Sequence, residues 1–254
     1  MPFSIDLTDT RVLVTGSSRG IGRAISEALL ESGASVLLHY NRSAVGASEL
    51  HDRYPDTSVT LQADLSKSEE ATRLFHESVD ALGGLDVLIN NAGIVSEMPL
   101  SMDAVHWERA WDLTMAVNLK APAILSRLSL GHFIEHGGGR IITVSSRAAF
   151  RGDTADYMAY AASKGGLVSF TRSIARAFGR QGVKAFLLAP GFIRTDMAAD
   201  AVRLYGEEYV MQGVALDRLT EPDDVAPIVV LLASGKADHA TGCTIDINAA
   251  SYVH

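Results

Sequence analysis

Seven short apolar runs, each separated from the next by a longer stretch, most constrain what this chain can fold into. The runs are residues 11–16 (RVLVTG), 35–40 (SVLLHY), 58–63 (SVTLQA), 85–90 (LDVLIN), 140–145 (RIITVS), 183–189 (VKAFLLA) and 243–248 (CTIDIN). Several are nearly continuous in apolar residues rather than alternating, the pattern of strands covered by helices on both faces of a parallel sheet. Stretches of helical period lie between them at about 20–32, 43–53, 67–82, 104–135, 159–180 and 222–234. Gly33 and Gly182 suit helix C-termini, and Glu221-Pro222 suits a helix opening. The expected architecture is therefore α/β: a single-domain, Rossmann-type, doubly wound parallel sheet of about seven strands spanning residues 1–254. Residues 190–220 form the one long connection with weak periodicity, and a lid over a site is expected there.

Composition narrows the function. With 22 basic and 30 acidic residues the net charge is −8, which argues against a nucleic-acid partner. Hydrophobic residues make up 47% and charged residues 20%, as in a packed globular chain. The single cysteine, Cys243, has no intramolecular disulfide partner. No apolar run approaches the roughly 18 residues that span a bilayer, and no signal peptide is visible at MPFSIDLTDTR. A cytoplasmic protein without a membrane or nucleic-acid partner is expected.

The first run ends in Thr15-Gly16-Ser17-Ser18-Arg19-Gly20-Ile21-Gly22, directly before a helix. Glycines at a tight strand-to-helix turn let the backbone approach a pyrophosphate, while N–H groups at the helix N-terminus supply the anion site. The end of the second strand selects the cofactor. A carboxylate there would bind a ribose diol and repel a 2′-phosphate. This chain instead reads His39-Tyr40-Asn41-Arg42-Ser43, and Arg42, Ser43 and Arg19 can hold a phosphate. NADP(H) is favoured over NAD(H).

Tyr160 and Lys164 stand four apart on the helix 159–180, one turn apart on one face, and Ser146 precedes Tyr160 by fourteen residues. A free tyrosine titrates near pH ~10 and is a poor acid or base at neutrality. A neighbouring ammonium and a cationic nicotinamide would both stabilise its phenolate.

Thr15–Gly22, Asp64, Asn90-Asn91-Ala92-Gly93, Asn118, Ser146, Tyr160-x-x-x-Lys164 and Pro190-Gly191 stand in the order and spacing of the short-chain dehydrogenase/reductase family, which the whole chain resembles. The resemblance implies hydride transfer between a nicotinamide and a carbonyl or secondary alcohol. It implies Tyr160 as general acid/base and Lys164 as the group that lowers its pKa and binds the nicotinamide ribose. Ser146 would hydrogen-bond the substrate oxygen, and Asn118 would hold a water in a proton relay. Asp64 and Leu65 would meet the adenine, Asn91, Ala92 and Gly93 the cofactor cleft, and Pro190, Gly191, Ile193 and Thr195 the nicotinamide end. A homotetramer is the family's usual assembly. The Asn248-Ala249-Ala250-Ser251 segment departs from the family, where glycines are common.

Within the family the chain is most similar to 3-oxoacyl-thioester reductases and to sugar or polyol dehydrogenases. Gly137-Gly138-Gly139 stands where carrier-protein reductases often carry basic residues, which leaves Arg180 as half of a docking patch. The negative net charge also opposes an acidic carrier. Pocket candidates by analogy are Val95, Met98, Phe150, Phe192, Met197 and Tyr205. Arg147 and Arg151 are either surface groups or a preference for an anionic substrate. Tyr157, seven residues before Lys164, resembles the spacing of enoyl-thioester reductases, but the intact glycine loop and Asn-Asn-Ala-Gly segment favour Tyr160.

Two further classes fit isolated features of the chain. His132-Phe-Ile-Glu135-His136 matches the H-x-x-E-H pattern of zinc hydrolases, yet a polar helix end explains it as well, and no metal is expected. A catalytically silent cofactor-binding scaffold would leave the Ser146, Tyr160 and Lys164 set without a purpose.

Overall fold

A computed structural model describes residues 5–194, 206, 211 and 213–253. Seven parallel strands, β1 (Arg11–Val14), β2 (Ser35–Tyr40), β3 (Ser58–Gln62), β4 (Val87–Asn90), β5 (Gly139–Val144), β6 (Val183–Pro190) and β7 (Thr244–Ile247), form one sheet. Their order is β3-β2-β1-β4-β5-β6-β7, so the chain winds one way from β1 to β3 and the other way from β4 to β7. The reversal falls between β1 and β4. At such a switch point the connections leave in opposite directions and open a crevice beyond the carboxyl ends of the strands.

The apolar runs lack alternation because both faces of the sheet are covered. Val12, Val14, Val36, Leu38, Ile142 and Leu188 pack against Ile25 and Leu29 of α1 (Gly20–Glu31) and Val225 and Val229 of α8 (Pro222–Ala233). Their neighbours Leu13, Leu37, Leu88, Ile141 and Ala185 face α3 (Ser68–Leu82), α5 (Ala121–Glu135) and α7 (Met158–Phe178). The remaining helices are α2 (Val45–Arg53), α4 (Ala104–Met115) and the short α6 (Ala148–Arg151). No helix among the described residues is long and apolar enough to cross a membrane.

Helix α8 opens as expected: Glu221 and Asp224 form a capping box and Pro222 sits in the first turn. Gly33 and Gly182 both take left-handed φ, at 92° and 85°. The expected helix 104–135 is interrupted by a π-turn at Ala116–Lys120. The cause lies in Pro122, which has no N–H to offer the carbonyl four residues back, that of Asn118. The fourth strand begins at Val87 rather than residue 85, and Asp86 just before it holds Arg11 in a two-pronged ion pair. Ala249 and Ala250 hold φ of 49° and 56°, so the alanines that replace glycine keep the left-handed backbone, at roughly 1 kcal/mol each.

Candidate functional site

The glycine loop leaves β1 at the switch point and is held from both sides. Thr15 is buried, and its Oγ1 accepts from the N–H groups of Asn91 and Ala92, each at 3.0 Å. The Asn91 amide returns the contact, donating to the carbonyls of Thr15 at 2.8 Å and Gly16 at 3.2 Å. Gly16 has φ 74°, and a Cβ at Gly22 would sit 2.1 Å from the Gly16 carbonyl oxygen. A Cβ on Gly46, in α2, would lie 1.9 Å from the Ser18 oxygen. Only hydrogen fits at these positions, so the loop is a tight cradle of backbone over the first turn of α1. Arg19 is exposed beside this turn, and Ile21 packs down onto the core.

One member of this support was not recognised from sequence. His39, 2% exposed, accepts the Gly16 N–H on Nδ1 at 3.0 Å and donates from Nε2 to the Ala63 carbonyl at 3.0 Å. Both ring nitrogens are used in a way that only the neutral imidazole allows, and burial pulls its pKa down to about 4. A histidine inside an otherwise apolar strand was the available signal. Beyond it, Asn41, Arg42 and Ser43 are exposed at the end of β2. Asp64, just past β3, accepts from the hydroxyl and N–H of Ser66 at 2.7 and 3.1 Å. These bonds hold its carboxyl below the usual range, with Lys67 and Arg42 adding attraction. Arg42 and Asp64 thus share one rim of the cleft, and Leu65 turns into the core.

The candidate catalytic residues converge at the ends of β5 and α7. The Tyr160 hydroxyl and Ser146 are hydrogen-bonded. Ser146 Oγ also accepts from the Ala148 N–H at 3.1 Å. Ser145 points elsewhere: its buried hydroxyl donates to the Lys164 carbonyl at 3.0 Å and ties α7 to β5. Lys164 is 4% exposed, donates from Nζ to the Val144 carbonyl at 2.9 Å, and lies 5.7 Å from the centre of the Tyr160 ring. Gly93 lies directly beside that Nζ, which a Cβ there would meet at 3.4 Å.

Burial pulls the Lys164 ammonium down to about 8. In the chain alone, burial raises the Tyr160 phenol, and the Ser146 hydrogen bond works against that rise. Asn118 is fully buried: Oδ1 accepts from the Ile94 N–H at 2.8 Å, and Nδ2 donates to the Ile94 carbonyl and Ser163 Oγ at 2.9 and 3.2 Å. Its side chain therefore clamps the 93–94 segment. Its carbonyl is the one that Pro122 deprives of an i+4 donor.

Pro190 ends β6, the Gly191 N–H donates to the Ile247 carbonyl at 3.0 Å, and Ile193 bridges to Thr220. Thr195, Met197, Tyr205 and most of the expected lid lie outside the described residues. Met98 is buried and Val95 is exposed. Arg147 is not a surface group. It is 8% exposed, with its guanidinium 4.5 Å from the centre of the Phe192 ring. Tyr157 closes the 3₁₀ turn before α7. The H-x-x-E-H histidines have other partners: His132 Nε2 accepts the Leu85 N–H at 3.1 Å, and His136 Nδ1 donates to the His132 carbonyl at 2.7 Å. Among the described residues no three His, Cys, Asp or Glu side chains gather as metal ligands.

A doubly wound parallel sheet with a glycine cradle at its switch point, and a Ser/Tyr/Lys cluster beside it, defines a nicotinamide-dependent oxidoreductase. The short chain dehydrogenase family model matches residues 10–204, and the chain belongs to this family. It is 34% identical over 240 residues to the 3-oxoacyl-[acyl-carrier-protein] reductase of Aquifex aeolicus, covering 93% of this chain and 94% of the relative. With the Vibrio cholerae reductase of the same name it shares 36% over 241 residues, 95% and 96% of the two chains. Among solved structures, a dehydrogenase/reductase from Sinorhizobium meliloti superposes with a TM-score of 0.89 at 33% identity, over 98% of both chains. A candidate NAD(P) dependent gluconate 5-dehydrogenase from Beutenbergia cavernae, with bound NADP, gives 0.88 at 32% identity over 96% and 97%. The protein is an NAD(P)-dependent oxidoreductase.

Proposed function

We propose that the protein is an NADP(H)-preferring enzyme that interconverts a carbonyl and a secondary alcohol, with Tyr160 as general acid/base. The observation that carries this reading is the Ser146–Tyr160 hydrogen bond beside the buried Lys164 ammonium. The glycine loop fits the cofactor, since close packing at Gly16 and Gly22 leaves no room for a Cβ and keeps the turn before α1 as bare backbone. The loop from Gly16 to Gly22 would receive the pyrophosphate, Arg42 and Ser43 with Arg19 the 2′-phosphate, Asp64 and the backbone of Leu65 the adenine, and Lys164 the nicotinamide ribose. When bound, the nicotinamide supplies or accepts the hydride.

In reduction, Ser146 holds the carbonyl oxygen and Tyr160 gives its proton to that oxygen as the carbon gains hydride. Oxidation reverses both transfers. Lys164 stabilises the phenolate left on Tyr160, and a water on the Asn118 carbonyl would return the proton from solvent. The curated relatives favour a 3-oxoacyl thioester as substrate. A small sugar acid or polyol is the second reading, favoured by the buried Arg147 and by the gluconate-type structural neighbour. A homotetramer, the family's usual assembly, is the expected state, and the exposed Val105 and Leu113 of α4 are apolar surface it could cover.

The test is a carbonyl panel assayed with NADPH and NADH by absorbance at the nicotinamide band. Tyr160→Phe should lose about 100-fold or more in kcat, the usual range for removing a general acid, while NADPH binding by calorimetry stays within a few fold. Retained turnover would overturn the role of Tyr160.

A further inference from the structure

Among the described residues, Arg147 is a buried charged group beside Ser146 that the proposed reaction does not use. It directly follows Ser146, and its N–H donates to the Pro190 carbonyl at 3.0 Å, which wedges the residue between the ends of β5 and β6. The guanidinium is stacked on Phe192, two residues beyond β6. It is more than nine-tenths buried, yet among the described residues it meets no carboxylate in ion-pair contact and no hydrogen-bond acceptor. Burial pulls it down to about 10, Arg151 adds to that, and Asp153 opposes it. Asp153 also acts on Tyr160, so the two side chains share one electrostatic neighbourhood.

A buried guanidinium without an anion is costly, and cations persist inside proteins when something neutralises them. A bound ligand can do so. Phe192 pins the planar fork, so little side-chain freedom is lost when an anion docks. Arg147, Arg151 and Asp153 together carry a net +1, which matches a monoanionic carboxylate rather than a phosphate dianion.

We propose that Arg147 is a substrate-binding residue that receives a carboxylate, so that the substrate is a small oxo or hydroxy acid. This rests on the carbonyl–alcohol reading and selects the acid over the acyl thioester. The reaction balance is unchanged: Arg147 holds the carboxylate, Ser146 the reacting oxygen, and Tyr160 the proton.

The experiment compares acetoacetate, its methyl ester and its N-acetylcysteamine thioester, with 2-oxoglutarate and 5-oxohexanoate as further acids. Wild type, Arg147→Met and Arg147→Lys are each assayed for NADPH oxidation and for binding by calorimetry in saturating NADP+. Urea midpoints establish that both variants fold. For at least one acid, Arg147→Met should raise KM and Kd about 30-fold, the size of one charge-assisted pair at tenfold per ~1.4 kcal/mol. The kcat for that acid should change little, the neutral ester should stay within about twofold, and Arg147→Lys should recover part of the loss. The proposal is overturned if no acid binds wild type more tightly than Arg147→Met. It is equally overturned if ester, thioester and acids suffer alike. Arg147-dependent acid binding without turnover of any carbonyl would sink the reductase reading and leave this one standing. Turnover of the ester or thioester, with no acid depending on Arg147 in KM or Kd, would do the reverse.

Discussion

Lys164→Met should make the cofactor-free protein more stable at pH 7 while removing its activity. The Lys164 ammonium titrates at about 8 instead of an ordinary 10.5 because burial strips its water. At ~1.4 kcal/mol per pKa unit, holding the charge in the cleft costs about 3 kcal/mol at neutral pH. Methionine fills similar space without a charge but leaves the Val144 carbonyl without the 2.9 Å bond. That loss returns about 1 kcal/mol, for a net gain near 2 kcal/mol. In a chain of this length the gain raises Tm by about 4 °C.

The pH dependence identifies the cause. Between pH 8 and 10.5 the unfolded chain keeps its lysine proton while the folded one sheds it, so wild-type stability rises with pH through this window. The advantage of Lys164→Met is therefore complete at pH 7 and shrinks by about 2 kcal/mol by pH ~9.5. Thermal unfolding followed by circular dichroism, at one protein concentration and both pH values, measures it. A variant less stable than wild type at pH 7, with a gap that ignores pH, would refute the view of Lys164 as a charge held against its solvation preference.

Two other perturbations probe the cofactor side. His39 titrates at about 4 when folded and near 6.5 when unfolded, so its stabilising contribution is complete above 6.5 and drains away as pH falls toward 4. The wild type should lose about 1.4 kcal/mol per pH unit across that window through this residue, a slope that His39→Gln should remove. Urea midpoints at several pH values report it, and equal slopes would contradict the strut assignment. Arg42→Ala should raise KM for NADPH by about 10- to 100-fold and leave NADH nearly unchanged, as expected for one charge-assisted phosphate contact. Equal effects on the two cofactors, in steady-state assays, would remove Arg42 from the 2′-phosphate site.

Much of this protein is determined by sequence alone. Strand runs without alternation imply a sheet covered on both faces, since period two disappears only when both sides are apolar. The glycine spacing after β1 and the four-residue interval from Tyr160 to Lys164 are local constraints of turn and helix geometry, so they are legible without coordinates. Pro122 is a local signal for the irregular turn at Asn118 that the helical period of 104–135 masks.

Tertiary structure decided what depends on partners distant in the chain. Ser145 and Ser146 are the same in type, and although the family resemblance already favours Ser146, the packing of α7 on β5 gives Ser145 its own role by turning its hydroxyl to the Lys164 carbonyl while Ser146 stays with Tyr160. His39 became a support for the glycine loop because Gly16 and Ala63 lie on either side of its ring. Sequence leaves Arg147 open between a surface group and an anion-binding one, and the fold buries it with its guanidinium on the Phe192 ring. Burial and charge are sums over neighbours brought together by the fold, which is why spacing along the chain could name the chemistry while the burial of Arg147 emerged only from the packed site.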